Sequence, residues 1–172
     1  MNLKSVLDMA KNLIDEIDED SQIDIILKNA INFAYLNIAT TIDKKVTTKE
    51  IPYSKVTTLP ADFNTLIEAI SGEEILNSLD YSLKSNVMIF HKKYDTINLV
   101  YTKTIPPIFN DTDELEIDNR YCFACAMYGA YAYSVHRKRT ELAGLLLSDY
   151  NNILNNRESK MEVSENDTNR SN

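Results

Sequence analysis

The sequence has 172 residues, of which 44% are hydrophobic, and it carries a formal net charge of −8. This length and composition suit one globular domain with a real core, and the acidity argues against a surface that grips nucleic-acid phosphates. Only 3 glycines and 4 prolines are present and tryptophan is absent, which favours long helices over an all-β fold with many turns.

The N-terminal segment resembles neither a signal peptide nor a membrane anchor. Met1 to Ser5 lead into an amphipathic stretch that contains acids, whereas a signal peptide needs an uninterrupted apolar run. No window approaches the ~20 apolar residues of a membrane span. The two cysteines then indicate free thiols in a reducing compartment. We therefore expect a protein that is made in a cytoplasm and has no membrane partner.

The first predicted element is a helix over residues 3–17, with lysines and acids opposite one apolar face. That face comprises Leu3, Val6, Leu7, Ala10, Leu13, Ile14 and Ile17.

An acidic run at 15–20 interrupts this pattern, and Ser21 followed by Asp24 resembles a capping box that begins a second helix over about 22–43. Apolar residues, Phe33 and Leu36 among them, cover a wide arc of this helix. We expect it to be covered by neighbours within the chain or in another subunit.

From about 46 to 104 the apolar pattern becomes that of short strands, because β-branched residues and period-2 alternation replace the helical spacing. The segments are strand-like runs at 46–51 and 55–59, a turn at 59–63, an apolar run at 66–70 that Gly72 ends, and clear strands at 87–90 and 96–101 joined by a turn at 91–95. This region is predicted to be a small β-rich insertion.

The C-terminal third returns to helices. Pro106 and Pro107 force an extended exit from the insertion, and an acidic, turn-like segment follows at 111–118. A helix over about 119–137 is apolar on nearly all sides and rich in small residues, so it is predicted to be the central helix of the core. A fourth helix is predicted over about 140–156.

Residues 157–172 form a polar, hydrophobe-poor tail. In isolation such a segment is expected to be disordered, and we expect this tail to become ordered only on assembly. The predicted fold is therefore mainly α: one domain over 1–156, built as a bundle of about four helices with a small β-rich insertion between helices two and three.

None of the motifs that carry chemistry is convincing. Cys122 and Cys125 form a CxxC, but the helix around them lacks the βαβ context of a redox site and there are not four ligands for zinc. His91 and His136 stand alone. The acidic runs lack the glycine of a calcium loop, and no phosphate-binding loop is present. We predict no catalytic, cofactor-binding or metal-binding residues and no cofactor, and we expect a protein that is not an enzyme.

A basic cluster, His136 to Arg139, ends the third predicted helix. It can offset the helix dipole, or it can form an ion pair with the acidic N-terminal run of a neighbouring subunit.

The order of features resembles the head–tail connector proteins (adaptor or head-completion proteins) of tailed bacteriophages. Two helices precede the turn Leu59-Pro60-Ala61-Asp62-Phe63, strands follow, and a helix then carries Tyr128-Gly129-Ala130-Tyr131-Ala132. The resemblance covers about residues 20–156. The two cysteines and the extra tyrosines of the central helix depart from that family's pattern.

The resemblance implies a structural virion protein in the neck between head and tail. It implies a ring of identical copies, commonly about twelve, that contacts the portal and the tail or tail-completion proteins. DNA would pass through the lumen without sequence-specific binding. The sequence leaves two alternatives open: a small cytoplasmic helical module that regulates or adapts a protein partner, and a thiol enzyme based on the two cysteines.

Overall fold

The computed structural model describes residues 1–15 and 21–168, and it describes side chains for residues 1–15 and 22–156. The chain divides into two compact units. The first, here called the helical unit, comprises Met1–Asp43 and the chain from Pro106 onward. The second, the sheet unit, comprises Lys44–Ile105 and coincides with the predicted insertion.

The helical unit is built around one central helix. Its elements are α1 (Leu3–Leu13), α2 (Ser21–Thr41), α3 (Asn119–His136) and α4 (Thr140–Thr168). Helix α3 packs against each of the other three.

Helix α1 buries the predicted apolar face and is capped at its first turn. Leu3, Val6, Leu7 and Ala10 are buried, and the Asn2 side chain accepts a hydrogen bond from the Ser5 backbone N–H at 2.9 Å. The helix ends at Leu13, before the predicted end at 17, because the backbone leaves the helical region and reaches φ 55° at Asp15. Residues 16 and 17 lie outside the described part of the chain.

Helix α2 is joined to α1 by a salt bridge between Lys11 Nζ and Asp24 Oδ1, 2.6 Å apart. Leu27, Ile31 and Ile38 of α2 are fully buried, as its apolar spacing predicts. The cap predicted for Ser21 depends on a side chain outside the described set.

Helix α3 occupies the centre, as predicted. The Asp118 side chain caps it by accepting from the Arg120 N–H at 2.9 Å. Ten of its residues are buried, which agrees with an apolar character on nearly all sides. At Gly129 the backbone comes so close to α2 that an added Cβ would lie 2.9 Å from Ile31 Cγ1.

The extended segment before α3 is hydrogen-bonded to the first residues of α1. The backbone N–H groups of Leu3 and Lys4 donate to the carbonyl oxygens of Asp113 and Asp111 at 2.9 and 3.0 Å. Leu115 and Ile117 of this segment are buried. The acidic segment therefore forms part of the fold and is not merely a solvated turn.

Helix α4 begins at the predicted position but continues past 156 to Thr168. Residues 157–168 contain no glycine or proline, and five of the twelve are arginine, lysine or glutamate, which have good helix propensity. Disorder of the free tail and its ordering on assembly stay predictions.

The sheet unit contains seven strands, β1 (Val46–Pro52), β2 (Val56–Thr58), β3 (Phe63–Ser71), β4 (Glu74–Ile75), β5 (Tyr81–Lys84), β6 (Val87–Phe90) and β7 (Thr96–Lys103). They form two antiparallel sheets, of order β1-β7-β3-β4 and β2-β6-β5. Gly72 forms the β3–β4 turn with φ 60°, which agrees with its predicted role as the end of the apolar run.

Both sheets contribute to the core of the sheet unit. Ile97, Leu99 and Tyr101 of β7 are buried at alternate positions, as predicted, and β6 adds Met88 and Phe90. Tyr101 attaches the predicted turn at 59–63 to this core through a hydrogen bond and a ring contact.

The hydroxyl of Tyr101 donates to Asp62 Oδ1 at 2.9 Å. The rings of Phe63 and Tyr101 lie 5.3 Å apart.

The predicted fold class is wrong. The sequence predicts a mainly α bundle with a small insertion, whereas the chain contains seven strands in two sheets with a core of their own beside four helices. Residue spacing does not reveal the pairing of strands that lie far apart in the chain, such as β1 with β7, and this pairing makes the insertion a unit with its own core. The 91–95 segment also joins strands of different sheets, whereas it was predicted to be a simple turn between adjacent strands.

The glycines of α3 and α4 provide a matched test of helix packing. Replacing Gly129 with Ala places a methyl group against the buried Ile31 side chain and should lower the free energy of unfolding by about 1–2 kcal/mol. Gly144→Ala meets no atom within 4 Å and should raise it by about 0.5–1 kcal/mol through helix propensity. Urea unfolding followed by circular dichroism measures both, and equal shifts would contradict the close approach of α2 and α3.

Candidate interaction surface

The two cysteines lie in the core of the helical unit, not in an accessible site. Both are buried and free, and desolvation raises the pKa of each thiol above its ordinary value, most strongly for Cys125. At neutral pH the thiols therefore stay protonated, whereas the thiolate is the nucleophile and the metal ligand. Their environment is that of small buried hydrophobes.

The histidines are far apart in sequence and lie in different units. His91 Nδ1 lies 3.0 Å from the carbonyl oxygen of Leu79, in the sheet unit. His136 is exposed in the last turn of α3. The two histidines therefore do not belong to one site.

Two acids of the 111–118 segment form hydrogen bonds or an ion pair within the chain. The carboxylate of Asp113 accepts from the backbone N–H groups of Phe109 and Asn110 at 2.8 Å each, and these bonds lower its pKa. Asp111 pairs with Lys28 at 2.6 Å. Within the described residues there is no group of three or more His, Cys, Asp or Glu that could hold a metal ion. The acidic run at 15–24 lies partly outside those residues.

The basic cluster is also held by its own chain. Arg137 Nε donates to the Tyr133 hydroxyl at 3.0 Å. Arg139 donates to the carbonyl oxygen of Ile14, just after α1, also at 3.0 Å. Both contacts lie within one chain, and the offset of the α3 dipole by this cluster stays a prediction. An ion pair with another subunit stays a prediction.

Large exposed apolar side chains occur on both units. In the helical unit, three helices and the segment before α3 carry them, namely Ile25 and Phe33 on α2, Phe123 and Val135 on α3, Leu145 on α4, and Phe109. Phe33 is 62% exposed although its ring stacks on Tyr128 with centroids 5.7 Å apart. Single exposed apolar residues are ordinary, but several on neighbouring helices are typical of a binding surface.

A groove of about 370 Å³ lies between α3 and α4. The apolar side chains of Phe123, Met127 and Ile153 line it, together with four polar residues, Arg120, Asp149, Asn152 and Asn156. Apolar area combined with polar groups is the composition of a protein-docking site. We call it the α3–α4 groove.

Among the exposed apolar side chains of the sheet unit, Leu79 lies on a loop that is held by hydrogen bonds. Leu79 is 80% exposed, the most exposed large apolar side chain among the described residues. Its backbone N–H donates to Asn77 Oδ1 at 2.8 Å, and its carbonyl oxygen faces His91. The next residue, Asp80, is only 1% exposed.

Asp80 anchors this loop. Its carboxylate pairs with Lys92 Nζ at 2.8 Å and accepts from the Asn77 N–H at 3.0 Å. The hydrogen bond from Lys92, and then the one from Asn77, lower the pKa of Asp80. The loop at 76–80, here called the Leu79 loop, is therefore fixed to the connection between β6 and β7.

Charge is divided unequally between the two units. The sheet unit has eight lysines and seven acids, so its net charge is +1. Because the whole chain has a net charge of −8, the rest of the chain carries −9. The acidity noted in the sequence belongs to the helical unit.

No protein-family model and no curated protein matches this sequence. The described helices include none that is both long and apolar enough to cross a membrane. Sequence reasoning predicted no site residues and missed both the Leu79 loop and the α3–α4 groove. The groove had a weak signal, because its residues recur at helical spacing at 120, 123 and 127 and at 149, 152, 153 and 156.

The burial of the cysteines predicts their reactivity. In the native protein neither thiol should react with Ellman's reagent on a scale of minutes, because both are enclosed and protonated. In denaturant both should react at once, which serves as the control. Rapid labelling of the native protein would contradict the buried setting and would revive the thiol-enzyme interpretation.

The depressed pKa of Asp80 predicts a pH-dependent contribution to stability. A carboxylate whose pKa is lowered on folding stabilises the protein above its unfolded pKa of about 3.9, and this contribution is lost as the pH falls through the folded value. Asp80→Asn should therefore lower the urea midpoint at pH 7, with the deficit shrinking in acid. Asp95→Asn, which alters an exposed acid of the same connection, should change stability by less than about 0.5 kcal/mol. Equal effects of the two substitutions would contradict the anchoring role of Asp80.

Proposed function

We propose that this chain is a structural virion protein of a tailed bacteriophage. In this proposal identical copies form a ring in the neck that joins the portal to the tail and continues the DNA channel for genome retention and ejection. The observation that carries the proposal is the apolar surface of the helical unit, with Ile25, Phe33 and Leu145 each more than half exposed.

Assembly accounts for this surface in physical terms. Each large apolar side chain that leaves water contributes about 1.5–3 kcal/mol, and a subunit that exposes several of them gains by covering them with a neighbour. A contact between two different patches, repeated by rotation, closes into a ring. The existence of two compact units gives each copy two chemically different surfaces for such a contact.

The charge distribution supports a relation to DNA without adhesion. The helical unit and its tail carry −9, and a wall of this sign repels phosphates. DNA could then slide through a lumen of such subunits without sequence-specific binding. The feature order of the sequence, which resembles head–tail connectors, supports the portal and the tail or tail-completion proteins as further partners. The protein would be made in the host cytoplasm and would act in the virion.

We propose no catalytic role for the chain. The strongest candidate nucleophiles are Cys122 and Cys125, and their burial and raised pKa oppose thiolate chemistry. A second candidate function is a small cytoplasmic module that regulates or adapts one protein partner. The α3–α4 groove favours it, because apolar side chains with polar groups beside them are typical of a protein-docking site.

Purified protein, alone and mixed with the portal protein encoded in the same genome, tests the proposal. We expect rings in negative-stain images and a mass of several subunits by light scattering, at least in the presence of portal. Protein that stays monomeric at every concentration and does not bind portal would contradict the proposal. A stable monomer or dimer that binds one non-virion protein would favour the adaptor function.

A further inference from the structure

We propose that Leu79 of one copy inserts into the α3–α4 groove of a second copy, and that this contact, repeated around an axis, closes the ring. The inference rests on the proposed ring function and names the contact that builds it. The contact would join the sheet unit of one subunit to the helical unit of the next.

The Leu79 loop has the properties of a preorganised anchor. Leu79 is 80% exposed, so burial in the loop's own unit does not explain an apolar residue at this position. The backbone on both sides of it is hydrogen-bonded, through Asn77 before it and through Asp80 after it. A loop that is already fixed loses little conformational entropy when it binds, which favours its use in recognition.

The α3–α4 groove has the properties of the receptor. Its volume of about 370 Å³ lies near the lower end of the range of about 300–1,000 Å³ for ligand pockets, which suits a single loop tip better than a whole helix. Phe123, Met127 and Ile153 offer apolar contacts to the inserted side chain. An aliphatic anchor that fills an apolar pocket with polar groups nearby is a common centre of binding energy in protein interfaces.

The charges beside the two surfaces are complementary. Arg120 stands on α3 and Asp149 on α4, so opposite walls of the groove carry opposite signs. Near the Leu79 loop, Lys92 is paired with Asp80 at 2.8 Å, and the exposed Glu74 adds a negative charge. Docking can therefore pair Glu74 with Arg120. The net charges of the two units, +1 and −9, attract each other at longer range.

The positions of the Leu79 loop and the α3–α4 groove favour a second copy of the chain as the occupant of the groove. The anchor and the groove belong to different compact units, so each subunit that donates a Leu79 loop still offers an empty groove. Such a head-to-tail contact continues from copy to copy until rotation closes it. A self-complementary dimer contact would stop at two copies.

A disulfide experiment tests the contact directly. Leu79→Cys and Ile153→Cys are made as separate variants, mixed and oxidised, and we expect one cross-linked dimer on non-reducing gels. With both substitutions in one chain, we expect a ladder that ends at the size of the ring. Val56→Cys combined with Ile153→Cys is the matched control, because Val56 is an exposed apolar residue of the same sheet unit. The native cysteines are buried and should give no ladder in the wild-type protein.

Substitutions then measure the energetic weight of the contact. Leu79→Asp should raise the protein concentration at half-assembly at least about tenfold, with unchanged thermal unfolding of the subunit, whereas Val56→Asp should change it less than about threefold. Glu74→Lys and Arg120→Glu should each weaken assembly, and their combination should restore it in part.

The outcomes separate this inference from the proposed function. If wild-type protein forms rings but the Leu79 and Val56 variants behave alike, or if the disulfide forms only within one chain, the contact is wrong and the ring proposal stands. If wild-type protein neither self-associates nor joins portal, both are overturned.

Discussion

The close approach of α3 to α2 is the constraint on which the helical unit depends. At Gly129 there is no room for a side chain beside Ile31, and the alanines around it leave α3 thin enough for three helices to pack on it. The volume that small residues do not fill is taken up at the flanks by rings such as Phe33 and Tyr128, which stack at the surface. The packing that forms the core therefore also places aromatic side chains where a neighbour can cover them.

The sheet unit depends instead on β7, which pairs with β1 on one side and β3 on the other and supplies three core residues. Two carboxylates fix what surrounds it: Asp62 receives the Tyr101 hydroxyl, and Asp80 receives Lys92. Asp62 is half-buried. Asp80 is buried, and a buried carboxylate is costly unless it is paired, so its position is specified closely. One result is a loop whose tip, Leu79, is rigid and yet exposed.

Periodicity was sufficient to predict features that depend on neighbours along the chain. The buried face of α1, the alternation in β7 and the bounds of Val87–Phe90 follow from residue spacing. The central place of α3 follows from its apolar character on nearly all sides. The failures are non-local. Residue spacing does not reveal that the segment at 91–95 joins two different sheets, and this is why the insertion was mistaken for a minor part of a mainly α fold. Leu79 carries no periodic signal because it lies in a loop, and the groove exists only once α3 and α4 have packed together.

Ring assembly changes how strong any single contact must be. In an open chain of n subunits there are n − 1 contacts, and closure adds one more without a further loss of translational freedom, so the last contact acts at a high effective concentration. In the proposed ring, a modest anchor such as one leucine with an acid beside it could then hold the ring, although it would hold a dimer only weakly. In the proposed ring, the same reasoning would explain why the subunit can remain acidic. The repulsion among helical units of charge −9 would be spread around that ring and screened over about 8–10 Å by salt, whereas the proposed apolar contacts would act at short range and be scarcely weakened by it.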